Sequence, residues 1–274
     1  QHPDLHQQVK RGEITLPTAT RQARKRNHGQ KLQTREKAIA RATPPDMSDR
    51  KWTPPQVQMG DVWKLGPHRL HCGDSIHWRP GERAKMAFAD PPYNSGVADW
   101  DRGFEWRHDW LQDAADYVFI TPGTAQLPQF LGVTAMNYRW QYTYWVSNAV
   151  SRCNDWGMSN VIAPLLFSEL RTLRLQGCRD FEKGAVSTGR TKDSKHPGRK
   201  PLGLLVWLME MTTKPGDLII DPFLGSGTTL FAAQGAQRVC HGMEINPHFC
   251  AEILARWYAL TGTAPEKETM AIAQ

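Results

Sequence analysis

The sequence predicts an α/β fold on a mostly parallel, twisted sheet with helices on both faces, and three observations carry that expectation. The apolar run Leu218-Ile219-Ile220 has the composition of a short central strand covered on both sides. It runs into a glycine-rich bend, Asp221-Pro222-Phe223-Leu224-Gly225-Ser226-Gly227-Thr228-Thr229, followed by a helical stretch to Gly235. The next strand, Arg238 to Met243, ends in Glu244, 19 positions after Gly225, where a doubly wound sheet places the carboxylate that accepts from ribose hydroxyls.

In chain order, residues 3–11 and 17–41 read as helices, separated by Gly12 and started by Pro17. The second carries Arg21, Arg24, Lys25, Arg26, Lys31, Arg35, Lys37 and Arg41 with few apolar anchors, so it buries little surface unaided. A proline-rich linker over 42–58 (Pro44, Pro45, Pro54, Pro55) is the expected boundary. It divides the chain into an arm and linker (1–58), a catalytic domain (59–262) and a tail (263–274). Residues 61–65 and 68–72 flank Gly66-Pro67 as a hairpin leading to Gly73-Asp74-Ser75. A strand over 85–90 follows, then a loop over 94–112 whose Trp100, Trp106 and Trp110 could wall a base pocket. Tyr117 to Ile120, Arg139 to Val146 and Val161 to Phe167 read as further strands. Ser168 to Lys200 reads as an irregular basic insertion, and Leu202 to Met211 as an apolar helix ended by Lys214-Pro215-Gly216.

The bulk numbers narrow the class. At 274 residues there is room for one domain with extensions, and 40% hydrophobic residues supply a core. No apolar run approaches the ~20 residues of a membrane span, and nothing at the start reads as a secretory signal. Cys72, Cys153, Cys178, Cys240 and Cys250 are odd in number and form no C-x-x-C pair, which argues against a disulfide framework or a zinc site. A reducing cytoplasm fits that usage. The net charge of +7 is segregated: residues 1–60 hold 12 Lys and Arg against 5 Asp and Glu, and residues 171–200 hold 9 against 3. Such segregation suits a polyanion partner.

Chemistry concentrates in two corners. Asp90-Pro91-Pro92-Tyr93 closes the run Met86-Ala87-Phe88-Ala89. Two prolines remove two backbone donors and fix two φ angles, leaving a rigid turn that offers a carboxylate, a carbonyl and an aromatic ring. That set suits a planar ring bearing an exocyclic –NH2, each amine proton meeting one acceptor. The second corner is the glycine bend. No Lys follows Gly227, so it is not a phosphate-binding P-loop, and Leu230 stands where a dinucleotide motif needs its third Gly. A ligand with a ribose and one carboxylate-sized anion fits, and S-adenosylmethionine has both.

Together with His196-Pro197-Gly198-Arg199-Lys200-Pro201 and Glu244-Ile245-Asn246-Pro247, the two corners make the chain resemble the amino-group DNA methyltransferases. Because the catalytic motif precedes the cofactor motif, it is similar to their permuted beta group. The resemblance covers about residues 60–260 and implies a Rossmann-like class I fold dependent on S-adenosylmethionine. It implies catalysis by Asp90, Pro91, Pro92 and Tyr93, with Tyr93 stacking on a base flipped out of the duplex. Cofactor contacts are implied for Asp74, Lys200, Asp221, Phe223, Gly225, Ser226, Gly227, Thr228, Glu244 and Ile245, and no metal is called for. The partner implied is DNA, met by Arg171, Arg174, Arg179, Lys183, Arg190, Lys192 and Lys195 in a region short enough to expect a brief or relaxed recognition sequence. Homodimers are common among the proteins it resembles. One departure is His248-Phe249, where the last motif ordinarily ends in Tyr. Asp at the head of the turn leans toward adenine N6, with cytosine N4 the alternative. The run Asp4 to Leu16 resembles the tail of ParB-like modules, which leaves a different class open: a DNA-binding regulator with an inactive methyltransferase fold.

Overall fold

The computed structural model describes residues 2–44, 52–94, 102–147, 151–154, 157–175, 181–184 and 199–268. Helices α1 (Pro3–Lys10) and α2 (Leu16–Ala42) come first, then strands β1 (Val62–Leu65), β2 (His68–Cys72) and β3 (Ala84–Ala89). Next are α3 (Leu111–Ala114), β4 (Ala115–Ile120), α4 (Leu127–Val133), β5 (Tyr138–Gln141) and β6 (Thr143–Val146). Short strands β7 (Ser151–Asn154), β8 (Gly157–Ser159), β9 (Val161–Ile162), β10 (Leu165–Phe167) and β11 (Phe181–Gly184) follow. The chain continues through α5 (Leu202–Thr212), β12 (Leu218–Asp221), α6 (Thr228–Gly235), β13 (Val239–Glu244), α7 (Pro247–Thr261) and β14 (Glu266–Glu268).

Nine strands form one sheet in the order β14-β1-β2-β13-β12-β3-β4-β10-β5. Its centre, β2 through β4, is parallel, and antiparallel strands finish both sides. The two-residue alternation of the central strands explains how both faces are covered. Met86, Phe88, Tyr117, Phe119 and Ile219 enter one core, shared with α2, α5, α6 and α7. Ala87, Ala89, Val118, Ile120 and Ile220 enter the other, shared with Leu111 of α3, Phe130 of α4 and the partly buried Trp106 and Trp110.

Four sequence expectations are revised. The strand expected over 139–146 is two strands in different sheets, because the chain diverges at Tyr142, whose N–H bonds to the Pro164 carbonyl at 2.8 Å. The strand expected over 161–167 is likewise divided at Pro164, which has no N–H for a ladder. Within the insertion read as irregular, Phe181–Gly184 pairs in parallel with β6. In the segment read as a tail, Glu266–Glu268 forms an edge strand, Val62 opposite Glu268.

The arm, bounded by its prolines in sequence, is docked through the second half of α2. Ala38 and Ala42 are buried, and a Cβ on Gly235 of α6 would lie 2.1 Å from the Ala38 carbonyl oxygen, so the two backbones touch. Arg35 donates through Nε (3.0 Å) and Nη2 (2.9 Å) to Glu210 of α5, and its Nη1 lies 2.7 Å from Glu182 of β11. Among the described residues no helix is long and apolar enough to cross a membrane.

Candidate active site

The parallel strands all end on one edge. Beside each other there, β12 connects through α6 to β13 on one side, while β3 continues to β4 on the other. This reversal is the switch point at which doubly wound sheets open a crevice. Asp221 closes β12, Asp90 follows β3, Glu244 closes β13, Asp74 follows β2 and Thr121 follows β4. Fixed backbone bonds hold the edge together: Gly73 N–H to the Glu244 carbonyl (3.0 Å) and Thr121 N–H to the Ala89 carbonyl (3.0 Å). One cavity of about 1330 Å³ is lined by both motifs, including Asp90, Pro91, Tyr93, Asp221, Gly225 and Glu244.

At the proline turn, the Asp90 carboxylate is surrounded by donors. Its Oδ1 accepts from the Tyr93 hydroxyl and from Thr121 Oγ1 at 2.7 Å, and its Oδ2 accepts from Lys200 Nζ. A carboxylate offers about four lone-pair directions, two on each oxygen. Oδ1 is filled and Oδ2 keeps one. Lys200, expected among the cofactor contacts, is paired with Asp90 of the proline turn and lines the cavity that the glycine bend shares, its ammonium 5.3 Å from the centre of the Tyr93 ring. Burial pulls the Lys200 ammonium down, and Asp90 and Tyr93 beside it more than reverse this, leaving it well above the usual lysine range. Burial and the adjacent Asp90 hold the Tyr93 phenol above its ordinary value.

At the glycine bend, Gly225 and Gly227 have φ of 52° and 79°, the left-handed region that side chains avoid. A Cβ on Gly227 would also meet Ile253 Cγ1 at 2.8 Å. The bend is braced by Arg256, which donates to the Ser226 carbonyl, and Ser226 Oγ is 3.0 Å from Thr228 Oγ1. Glu244 accepts from Gly225 N–H (2.7 Å) on Oε2 and from Asn246 N–H (2.8 Å) on Oε1, with the Ile245 N–H also turned toward it. Burial lifts its pKa to about 7 against those bonds. Burial lifts Asp221 to about 7 as well, against bonds from Thr229 and Phe223. Asp74 accepts from Ile76 N–H at 2.9 Å through Oδ1, and it lines the cavity with Phe223, Thr228 and the half-exposed Ile245.

Some groups in the wall were not singled out from sequence. Thr121 is one, although it directly follows the strand beside the one that runs into the proline turn. His108, 3% exposed, lies 2.9 Å from Ser75 Oγ through Nε2 and is packed 4.6 Å from the Phe223 ring; burial holds it at about 4, hence neutral. Arg199 also lines the cavity. Trp106 and Trp110, expected to wall the pocket, turn into the second core instead, Trp106 packing 4.9 Å from Phe130 and donating to Asp109 at 2.6 Å. Trp100 lies outside the described residues. Of the cations assigned to DNA, Arg171, Arg174 and Lys183 are exposed, Lys183 resting 4.7 Å over the Trp145 ring. Arg179, Arg190, Lys192 and Lys195 lie outside the described residues.

A Rossmann-like, mostly parallel sheet with the proline turn and the glycine bend opening at one switch point is the class I methyltransferase fold. The chain is similar to solved structures of that fold: the M1.HpyAVI–SAM complex, at TM-score 0.52 and 17% identity over 67% of this chain and 96% of that one, and PvuII DNA methyltransferase (cytosine-N4-specific), at TM-score 0.51 and 15% identity over 78% and 98%. The family described as DNA methylase, N6_N4_Mtase, matches residues 134–255. Type II methyltransferase M2.MboI of Moraxella bovis is 39% identical over 240 residues, 70% of this chain and 86% of that protein. M1.MboII of the same organism is 23% identical over 241 residues, 66% and 92% of the two chains. The chain belongs to the N6/N4 amino-DNA methyltransferase family.

Proposed function

We propose that this chain transfers a methyl group from S-adenosylmethionine to the exocyclic N6 amine of an adenine flipped out of duplex DNA. The observation that carries the reading is the shared cavity: at about 1330 Å³ it exceeds the ~300–1,000 Å³ of an ordinary single-ligand pocket, and both corners open into it.

The cofactor fits the residues present. Glu244 lines the cavity with a carboxylate suited to accept from a ribose hydroxyl, and Asp74 has Oδ2 for an adenine amine. Phe223 and Ile245 offer apolar walls, and the glycine bend lets backbone approach. When bound, S-adenosylmethionine supplies an electrophilic methyl on a cationic sulfur.

The rest is done by the turn. An aromatic amine is a poor nucleophile because its lone pair is delocalised into the ring. The remaining lone pair of Asp90 Oδ2 accepts a hydrogen bond from one amine N–H and the Pro91 carbonyl accepts one from the other, which favours pyramidal nitrogen with its lone pair aimed across the cavity; the methylated nitrogen then loses one of these protons as the sulfur leaves as a neutral thioether. Both contacts strengthen as positive charge develops on that nitrogen, so they act on the barrier more than on binding. Tyr93, Thr121 and Lys200 keep the carboxylate from rotating. Tyr93 presents its ring to the flipped base.

The test is nucleoside analysis of duplex DNA after incubation with protein and methyl-labelled cofactor. Labelled N6-methyladenine is expected. Label only in N4-methylcytosine would move the target to cytosine. Absence of label from a protein that binds cofactor would refute transfer and leave a DNA-binding role.

A further inference from the structure

Helix α2 spans 27 residues, about 40 Å at 1.5 Å per residue, yet only its second half is packed on the catalytic domain. At 100° per residue, Arg21, Arg24, Lys25, His28 and Arg35 share about 100° of its circumference. Ile39 and Ala42, which meet α5 and α6, lie in the same arc. The helix side that docks at one end is therefore basic and exposed at the other. The bonds of helix α1 to α2, Asp4 to Arg26 and His2 to Asn27, are made outside that arc. Arg21, Arg24 and Lys25 are exposed and form no ion pair with any described residue.

The docked end sets direction. Arg35 is clasped between Glu210 of α5 and Glu182 of β11, the strand within the basic insertion. The stripe from Arg35 to Arg21 thus starts at that insertion and runs away from it for about 21 Å, the length of roughly 6 base pairs. Arg35 is neutralised at the docked end and Arg26 by Asp4, so the outward-facing charge of the stripe is that of Arg21, Arg24 and Lys25, which meet no acid among the described residues.

We infer that Arg21, Arg24 and Lys25 form a second DNA-contact surface, a phosphate rail that grips duplex flanking the target rather than reading its bases. It rests on the reading of DNA as substrate, and it adds affinity and reach without touching the methyl-transfer corner. A rail of this kind contributes through counterion release, close to 0.9 in the slope of log affinity against log salt per phosphate neutralised.

The experiment is titration of the full chain and its Arg21→Gln, Arg24→Gln, Lys25→Gln variant with duplexes of about 10 and about 30 base pairs across a salt series. On the long duplex the variant is expected to lose about 2–3 from the salt slope and to bind more weakly at low salt. The two proteins should converge on the short duplex, with unchanged cofactor affinity and unchanged methylated sequence. Equal slopes on the long duplex would overturn the rail. So would a changed methylated sequence, which would make these residues base readers, or failure of the native chain to bind duplex at all. If the native chain binds with the steep slope but transfers no methyl, the rail stands and the methyltransferase reading falls.

Discussion

At the scale of single residues, the arrangement around Asp90 decides what the turn can do. Among the described residues, three donors from three segments leave it one acceptor direction, which suits it to the amine-orienting part proposed for it. Lys200 is paired with Asp90, and the part expected of it is to hold that carboxylate in place. Replacing Asp90 with Ala should abolish transfer. Lys200→Met should lower kcat by about 10–100-fold, the range of a lost charged hydrogen bond, while calorimetric affinity for S-adenosylmethionine stays near that of the native protein. Lys200→Arg should recover part of the rate. Loss of cofactor affinity in Lys200→Met would return that residue to the cofactor site. Glu244 gives a second residue-scale prediction. Its carboxyl is lifted to about 7 by burial, and ribose hydroxyls donate best to the ionised form. Cofactor affinity should therefore rise with pH through 7 and level off above it, in calorimetry between about pH 6 and 8. The sign for stability is opposite. The folded state holds a proton on Glu244, and another on Asp221, that the unfolded chain releases near its ordinary carboxylate value. Unfolding free energy of the ligand-free protein should fall as pH rises toward 7, the loss being complete above it. His68, His71 and His108, held near 4 by burial, act the other way below about 6.5. The acids stand alone only from about pH 6.5 to 8, and denaturant midpoints in that window should decline.

At the scale of elements, the glycine bend is the least replaceable piece. Gly227→Ala puts a Cβ at φ 79° and 2.8 Å from Ile253, which should cost about 2–4 kcal/mol in chemical denaturation and weaken cofactor binding. This bend and the proline turn were legible in sequence because each is specified locally, by glycines that permit a conformation and prolines that impose one. Strands β3, β12 and β13 and helices α5 and α6 were legible for the same reason, as continuous apolar runs between turn residues. What sequence concealed depends on distant partners. Tyr142 belongs to no strand because Pro164, far along the chain, takes its N–H. Glu266–Glu268 carries no strand signal of its own and becomes one only because Val62–Lys64 lies beside it. The pairing of Lys200 with Asp90, and the turn of Trp106 and Trp110 into the core, are outcomes of packing that residue type does not announce.

At the scale of the whole molecule, the catalytic chemistry follows from topology: five parallel strands finish on one edge and diverge between β12 and β3, bringing residues from 74 to 244 into one crevice. The sheet's two rims differ in a way that governs how copies behave when concentrated. The outer strand at one rim is Glu266-Lys267-Glu268, charges that repel a neighbouring strand. The outer strand at the other is Tyr138-Arg139-Trp140-Gln141, exposed throughout, with the Trp140 ring half open to water. Of the two rims, the aromatic one should be the one that promotes association: Trp140→Lys is expected to raise the solubility limit in light scattering while leaving methyl transfer untouched, and the same charge added beside Lys267 should do nothing.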